Sequence, residues 1–129
     1  MRTALGVFVS SVSILGFSAI ATAQQDVVVD ARHHKLEFEN NCVRVVRANF
    51  APHEKADAMF DTGKAKGVLI VEVTGSEGWK TNFPDGKSVT TPGKKAGQIS
   101  WIPGGGLIQP ENIGNKPVEY IVIEPKGCN

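Results

Sequence analysis

Few groups in this chain of 129 residues could do chemistry: it holds three histidines, His33, His34 and His53, and two cysteines, Cys42 and Cys128. Imidazoles and carboxylates together suit iron, manganese, nickel or zinc while leaving positions open for substrate. One such set is on offer, His53 with Asp61 and either Glu72 or Glu111. His53 has a second reading, as a loop histidine bonded to neighbouring backbone or to Glu54. His33 and His34 are adjacent, so in an extended segment they face opposite sides and cannot both enter one site. No histidine lies beyond position 53, so a serine nucleophile with its own base is not discernible. Gly104-Gly105-Gly106 runs into Leu107-Ile108-Gln109-Pro110, without the Lys-Ser or Lys-Thr that opens a phosphate-binding helix. No catalytic residue is assigned.

Any site must be positioned by the stretch Ala96 to Asn112. Gln98 to Ile102 alternates polar and apolar, as a strand with one buried face should, and Pro103 ends the ladder for want of an amide hydrogen. Gly104, Gly105 and Gly106 allow a tight reversal, and a stiff Pro-Glu-Asn exit follows. The spacing of Gly97, Pro103, Gly105 and Asn112 resembles the second motif of the cupin superfamily, in which position 108 is His. Here it is Ile108. Pro52-His53-Glu54-Lys55 resembles the lead of the family's first motif, and counting forward puts its His-x-His pair on Met59 and Asp61.

The resemblance implies a barrel that typically holds a metal by two His and one Glu from the first motif and one His from the second. Met59, Asp61 and Ile108 do not replace them coherently. A thioether prefers soft ions, a carboxylate hard ones, and Ile offers no ligand. No cofactor is therefore expected; the competing expectation is a divalent transition metal held by His53, Asp61 and Glu72. Candidates for lining a pocket are His53, Met59, Asp61, Ile108, Gln109 and Glu111, with Gln109 and Glu111 read alternatively as turn caps. Trp79 and Trp101 either fill the core or stack on a ligand. Asn112 is read as fixing its turn through side-chain to backbone bonds.

The remaining pattern is of short strands. Asp26 to Asp30, Lys35 to Glu39 and Val43 to Phe50 are extended, and Ala51 to Gly63 has neither strand nor helix period. Gly67 to Val73 reads as a strand buried on both sides, and Trp79 to Phe83 with Lys87 to Thr91 flanks the hairpin turn Pro84-Asp85-Gly86. Val118 to Glu124 is the last strand. Seven to nine short strands, no helix and Gly/Pro turns predict an all-β sandwich or barrel. The cupin resemblance, over roughly residues 36–124, selects a small double-sheet jelly roll.

Residues 1–23 read as a secretory signal peptide: Arg2, an apolar run, then Ala21-Thr22-Ala23 before a cut at Gln24. That leaves a single domain, 24–129, with no stable membrane anchor, secreted or periplasmic. Arg2 is the only charge removed, so 14 basic residues become 13 against 13 acidic ones, and with no basic cluster nucleic acid is not an expected partner. In an oxidising compartment Cys42 and Cys128 form a candidate disulfide, worth roughly 4 kcal/mol in the chain-entropy model. The leading expectation is an exported, metal-free cupin-like domain that binds a small molecule or serves a structural role. The alternatives are a divergent metal-dependent dioxygenase or isomerase, and a homodimeric interaction protein paired through a sheet edge.

Overall fold

A computed structural model of the chain describes residues 30–62 and 66–128. The expected signal peptide, and all of the expected first strand except Asp30, lie outside these residues. Among the described residues there are nine strands: β1 (His34–Glu39), β2 (Val43–Phe50), β3 (Phe60–Asp61), β4 (Gly67–Glu72), β5 (Gly78–Asn82), β6 (Ser88–Pro92), β7 (Ile99–Pro103), β8 (Leu107–Asn112) and β9 (Val118–Pro125). They form a five-stranded sheet, β1-β2-β9-β4-β7, and a four-stranded sheet, β3-β8-β5-β6, with every pairing antiparallel. This is the expected all-β jelly roll.

Alternation sets which side chains meet between the sheets. In β2, Val46, Ala48 and Phe50 are buried, and register places Ala48 opposite Tyr120 and Phe50 opposite Val118 of β9. Phe50 lies parallel to Tyr120 at 6.0 Å between ring centres. Trp79, from the other sheet, meets both rings edge-on at 5.5 and 5.4 Å. This aromatic cluster, with Val68 and Ile70 of β4, joins the two layers.

Two expectations need correction. The run from Gly67 is not buried on both sides: Val68, Ile70 and Glu72 are buried while Leu69 and Val71 are half-buried, so one face packs inward and Glu72 is its single charged member. The stiff Pro-Glu-Asn exit, for its part, does not leave the sheet: it is the end of β8, which lies between β3 and β5. The proline at 110 hides the strand in the sequence, because it removes one ladder donor. Where Ala56 N donates to Pro110 O at 2.9 Å, the reciprocal acceptor, Ala56 O, is instead served by Gln109 Nε2 at 2.8 Å. A side-chain amide thus replaces the missing backbone one.

Turn chemistry follows the sequence closely. Gly86, Gly97 and Gly105 have positive φ. Thr62 clamps the glycine turn between β7 and β8, its amide and hydroxyl both donating to Gly106 O at 2.8 and 2.7 Å. Asn112, fully buried, donates to Ala51 O and Lys116 O at 3.0 and 2.8 Å and accepts from Gly114 N at 3.0 Å. Cys42 and Cys128 are joined in a disulfide, which pins the chain after β9 to the start of β2.

Candidate functional site

The space between the sheets is not filled. A cavity of about 540 Å³ is lined from both sheets, with Phe60, Trp79, Phe83, Trp101, Ile108 and Tyr120 among its wall residues. Among the described residues Glu72, Lys94 and Tyr120 are the titratable side chains in its wall, and no histidine, aspartate or cysteine contributes. Lys94 Nζ donates to Ser100 Oγ at 2.6 Å, and both line the cavity.

Glu72 is the unusual group. It is 2 % exposed, and its Oε2 has no hydrogen-bond partner among the described residues. Burial pushes its carboxyl above the usual range, and the positive charge of Lys94 offsets this only in part. Burial likewise pushes the Tyr120 phenol up, with Glu72 and Asp30 adding to the effect. The position of Glu72 follows from parity, since it is two residues beyond Ile70 and four beyond Val68 on the inward face of β4.

Of the six residues expected to line a pocket, the structure puts only Ile108 there. His53 is exposed, has a φ of 57°, and lies with Nε2 2.9 Å from Asn115 Oδ1. It is thus a loop histidine, as in the second sequence reading, with a side-chain partner other than Glu54. Met59 is half-buried and Asp61 exposed; neither reaches the cavity wall, which takes Phe60 and Thr62 instead. The inward parity of this segment is therefore one residue away from the count made in sequence, and Phe60 pairs with Ile108 across β3 and β8. Gln109 serves the ladder as described, and Glu111 Oε2 accepts from Asn82 Nδ2 at 3.2 Å with Lys80 Nζ at 3.7 Å.

Trp79 is core and Trp101 is not: it is 49 % exposed and packs over Gly67, where a Cβ would stand 2.3 Å from its Cζ2. Both rings contribute to the cavity wall.

The alternative metal set is not assembled. His53, Asp61 and Glu72 are not within ligating reach of one another; among the described residues the one such group is Asp30, His33 and Asp57. The donors of that group are engaged already. Asp30 Oδ2 accepts from His33 Nδ1 at 2.7 Å and from Asp57 N at 2.6 Å, and the Asp57 carboxylate takes both arms of Arg32 at 2.8 and 2.6 Å. His33 stacks on Phe50 at 4.6 Å, and its Nε2 lies 3.1 Å from Glu54 Oε1, an ion-pair separation without hydrogen-bond alignment. The cluster ties the segment before β1 to the loop after β2. Sequence reasoning singled out neither this cluster nor Phe60, Thr62, Lys94 and Ser100. Counting alternation outward from Val68 and Ile70 would have found Glu72's orientation.

No protein-family model matches the sequence, and no curated protein sequence matches it. Solved structures do. A cupin domain from Bordetella pertussis Tohama I is similar over 73 % of this chain and 92 % of its own, with 20 % identity and a TM-score of 0.61. An uncharacterized conserved protein with a double-stranded β-helix domain from Klebsiella pneumoniae matches over 73 % and 76 %, at 18 % identity and a TM-score of 0.53. An RmlC-like cupin family protein from Methanocaldococcus jannaschii matches over 78 % and 86 %, at 15 % identity and 0.51. Phe60, Thr62 and Ile108 occupy the facing positions of β3, the following turn and β8, and Glu72 is the one carboxylate in the wall among the described residues. With two antiparallel sheets facing each other across a largely apolar cavity, the chain has the double-stranded β-helix fold seen in these cupin structures.

Proposed function

We propose that the domain is a metal-independent small-molecule-binding module of an extracytoplasmic compartment, not an enzyme that works through a bound ion. The observation that carries this reading is the cavity itself: about 540 Å³, walled by aromatic and aliphatic side chains, within the range of sites that enclose small organic ligands. The Cys42–Cys128 disulfide is at home in an oxidising compartment and supports the export expected from residues 1–23.

Binding of 2-ethylnaphthalene to purified mature protein, followed calorimetrically, tests the reading. Saturable binding that survives treatment with EDTA and is lost in Ile108→Trp, which fills the cavity, is the expected outcome. A transition metal retained in stoichiometric amount by the purified protein, or binding that chelation removes, would overturn it.

A further inference from the structure

We propose that the cavity selects an apolar molecule carrying one hydrogen-bond acceptor, such as a ketone or aldehyde carbonyl, with the Glu72 carboxyl as the donor that reads it. The inference deepens the binding reading above and rests on it.

Three observations converge on Glu72. It belongs to the cavity wall. It is 98 % buried, being 2 % exposed, and its Oε2 lacks a hydrogen-bond partner among the described residues. The wall around it is mostly apolar in surface, with the hydroxyls of Thr81, Thr91 and Ser100 set among the apolar side chains and Glu72 the one carboxyl. Burial without a partner for Oε2 penalises the charged carboxylate and shifts the balance toward the protonated acid. A protonated acid has an O–H to give, and a buried donor left unused is costly. The terminal torsion of a Glu side chain is soft, so the carboxyl can turn toward the lumen without disturbing β4.

Two other titratable groups face it, Lys94 and Tyr120. Lys94, on the loop before β7, donates from Nζ to Ser100 Oγ at 2.6 Å, and its charge offsets the burial of Glu72 only in part. A positive charge at that point disfavours a cationic ligand and favours the partial negative charge of a carbonyl oxygen. Tyr120, opposite Glu72 in the β4–β9 register, is held neutral by burial. The ligand's remaining surface would lie against Trp79, Phe60 and Ile108, which ask only for apolar shape.

The test compares three probes of one shape: 2-acetylnaphthalene, which has the acceptor, 2-ethylnaphthalene, which lacks it, and 2-naphthylmethylammonium, a cation. At pH 6 the ketone is expected to bind about tenfold tighter than the hydrocarbon, the worth of one well-made hydrogen bond. That preference should shrink as pH rises and Glu72 ionises. In Glu72→Leu the ratio falls to near one. In Glu72→Gln, which keeps a donor but cannot titrate, the preference persists and becomes independent of pH; this variant also serves should the leucine variant fail to fold. Equal affinity for ketone and hydrocarbon at every pH would overturn the inference while leaving cavity binding intact. Tighter binding of the ammonium would overturn it by showing a cation site. No binding of any probe would remove both readings together.

Discussion

Asp30 keeps its carboxylate charged at 5 % exposure because what surrounds it outweighs the cost of leaving water. Burial alone would raise its pKa, but the Asp57 amide and the His33 ring together hold it below the ordinary value. A depressed pKa means that the folded chain binds this proton less readily than the unfolded one. Its contribution is therefore complete above about pH 4, the ordinary Asp range, and is lost as pH falls through the folded value. Asp30→Asn should cost about 1–3 kcal/mol at pH 7, the worth of breaking a buried charge-assisted pair, and the gap from the parent should narrow in acid. Urea unfolding at pH 7 and pH 3 measures both; a constant gap would show that the charge is irrelevant. Glu72 works with the opposite sign. Its pKa is raised, so its favourable state is complete below about pH 4.3, the ordinary Glu value, and stability is lost as pH climbs toward the folded pKa. Glu72→Gln removes that loss. The variant should gain on the parent with rising pH, by up to about 1.4 kcal/mol per pH unit inside the titration window, the slope for one proton. Parallel pH profiles from chemical denaturation would contradict the burial argument.

At the scale of elements, what the sequence discloses is period, and what it conceals is parity. Val43 to Phe50 coincides with β2, and the hairpin across Pro84-Asp85-Gly86 joins β5 to β6, because β-branched alternation and a Gly-bearing turn are local signals. The side of the sheet that a short segment faces is not local. Phe60–Asp61 is two residues long, too little alternation to fix its own register, so whether Met59 and Asp61 or Phe60 and Thr62 face inward is decided by pairing with β8. β8 was itself concealed by Pro110. The repair that makes it a strand predicts a test. Gln109→Ala leaves the carbonyl of Ala56, a residue 2 % exposed, without the amide that serves it. A buried acceptor left unmade costs about 1–3 kcal/mol, so the midpoint of urea unfolding should drop by that measure with an unchanged slope. Gln109→Glu, which keeps the length but not the donor, should be no better than alanine. If alanine is neutral, the side chain is not completing the ladder.

For the whole molecule, the cavity and the disulfide are linked through stability. A domain that leaves about 540 Å³ between its layers forgoes packing that a filled core would supply, and part of its sheet surface stays open, with Phe38 and Ile99 at 52 % and 63 % exposure. The bond between Cys42 and Cys128 spans 86 residues, which takes in most of the described chain, and a loop of that size loses enough unfolded-state entropy to stabilise the fold by about 4–5 kcal/mol in the chain-entropy model. A fold of this size has roughly 5–15 kcal/mol in all, so the cross-link can be the margin that lets the interior remain hollow. The double substitution Cys42→Ala with Cys128→Ala should therefore lower the melting temperature by about 10–20 °C, given roughly 4–8 °C per kcal/mol for a domain near this length and some loss of the ideal entropy gain. Filling the cavity with Ile108→Trp in that background should recover part of the loss by restoring packing, at the expense of probe binding. Calorimetric melts of the parent, the double variant and the triple variant separate the two effects. If the double variant melts with the parent, the cross-link is not what sustains the open interior, and the link between bond and cavity fails.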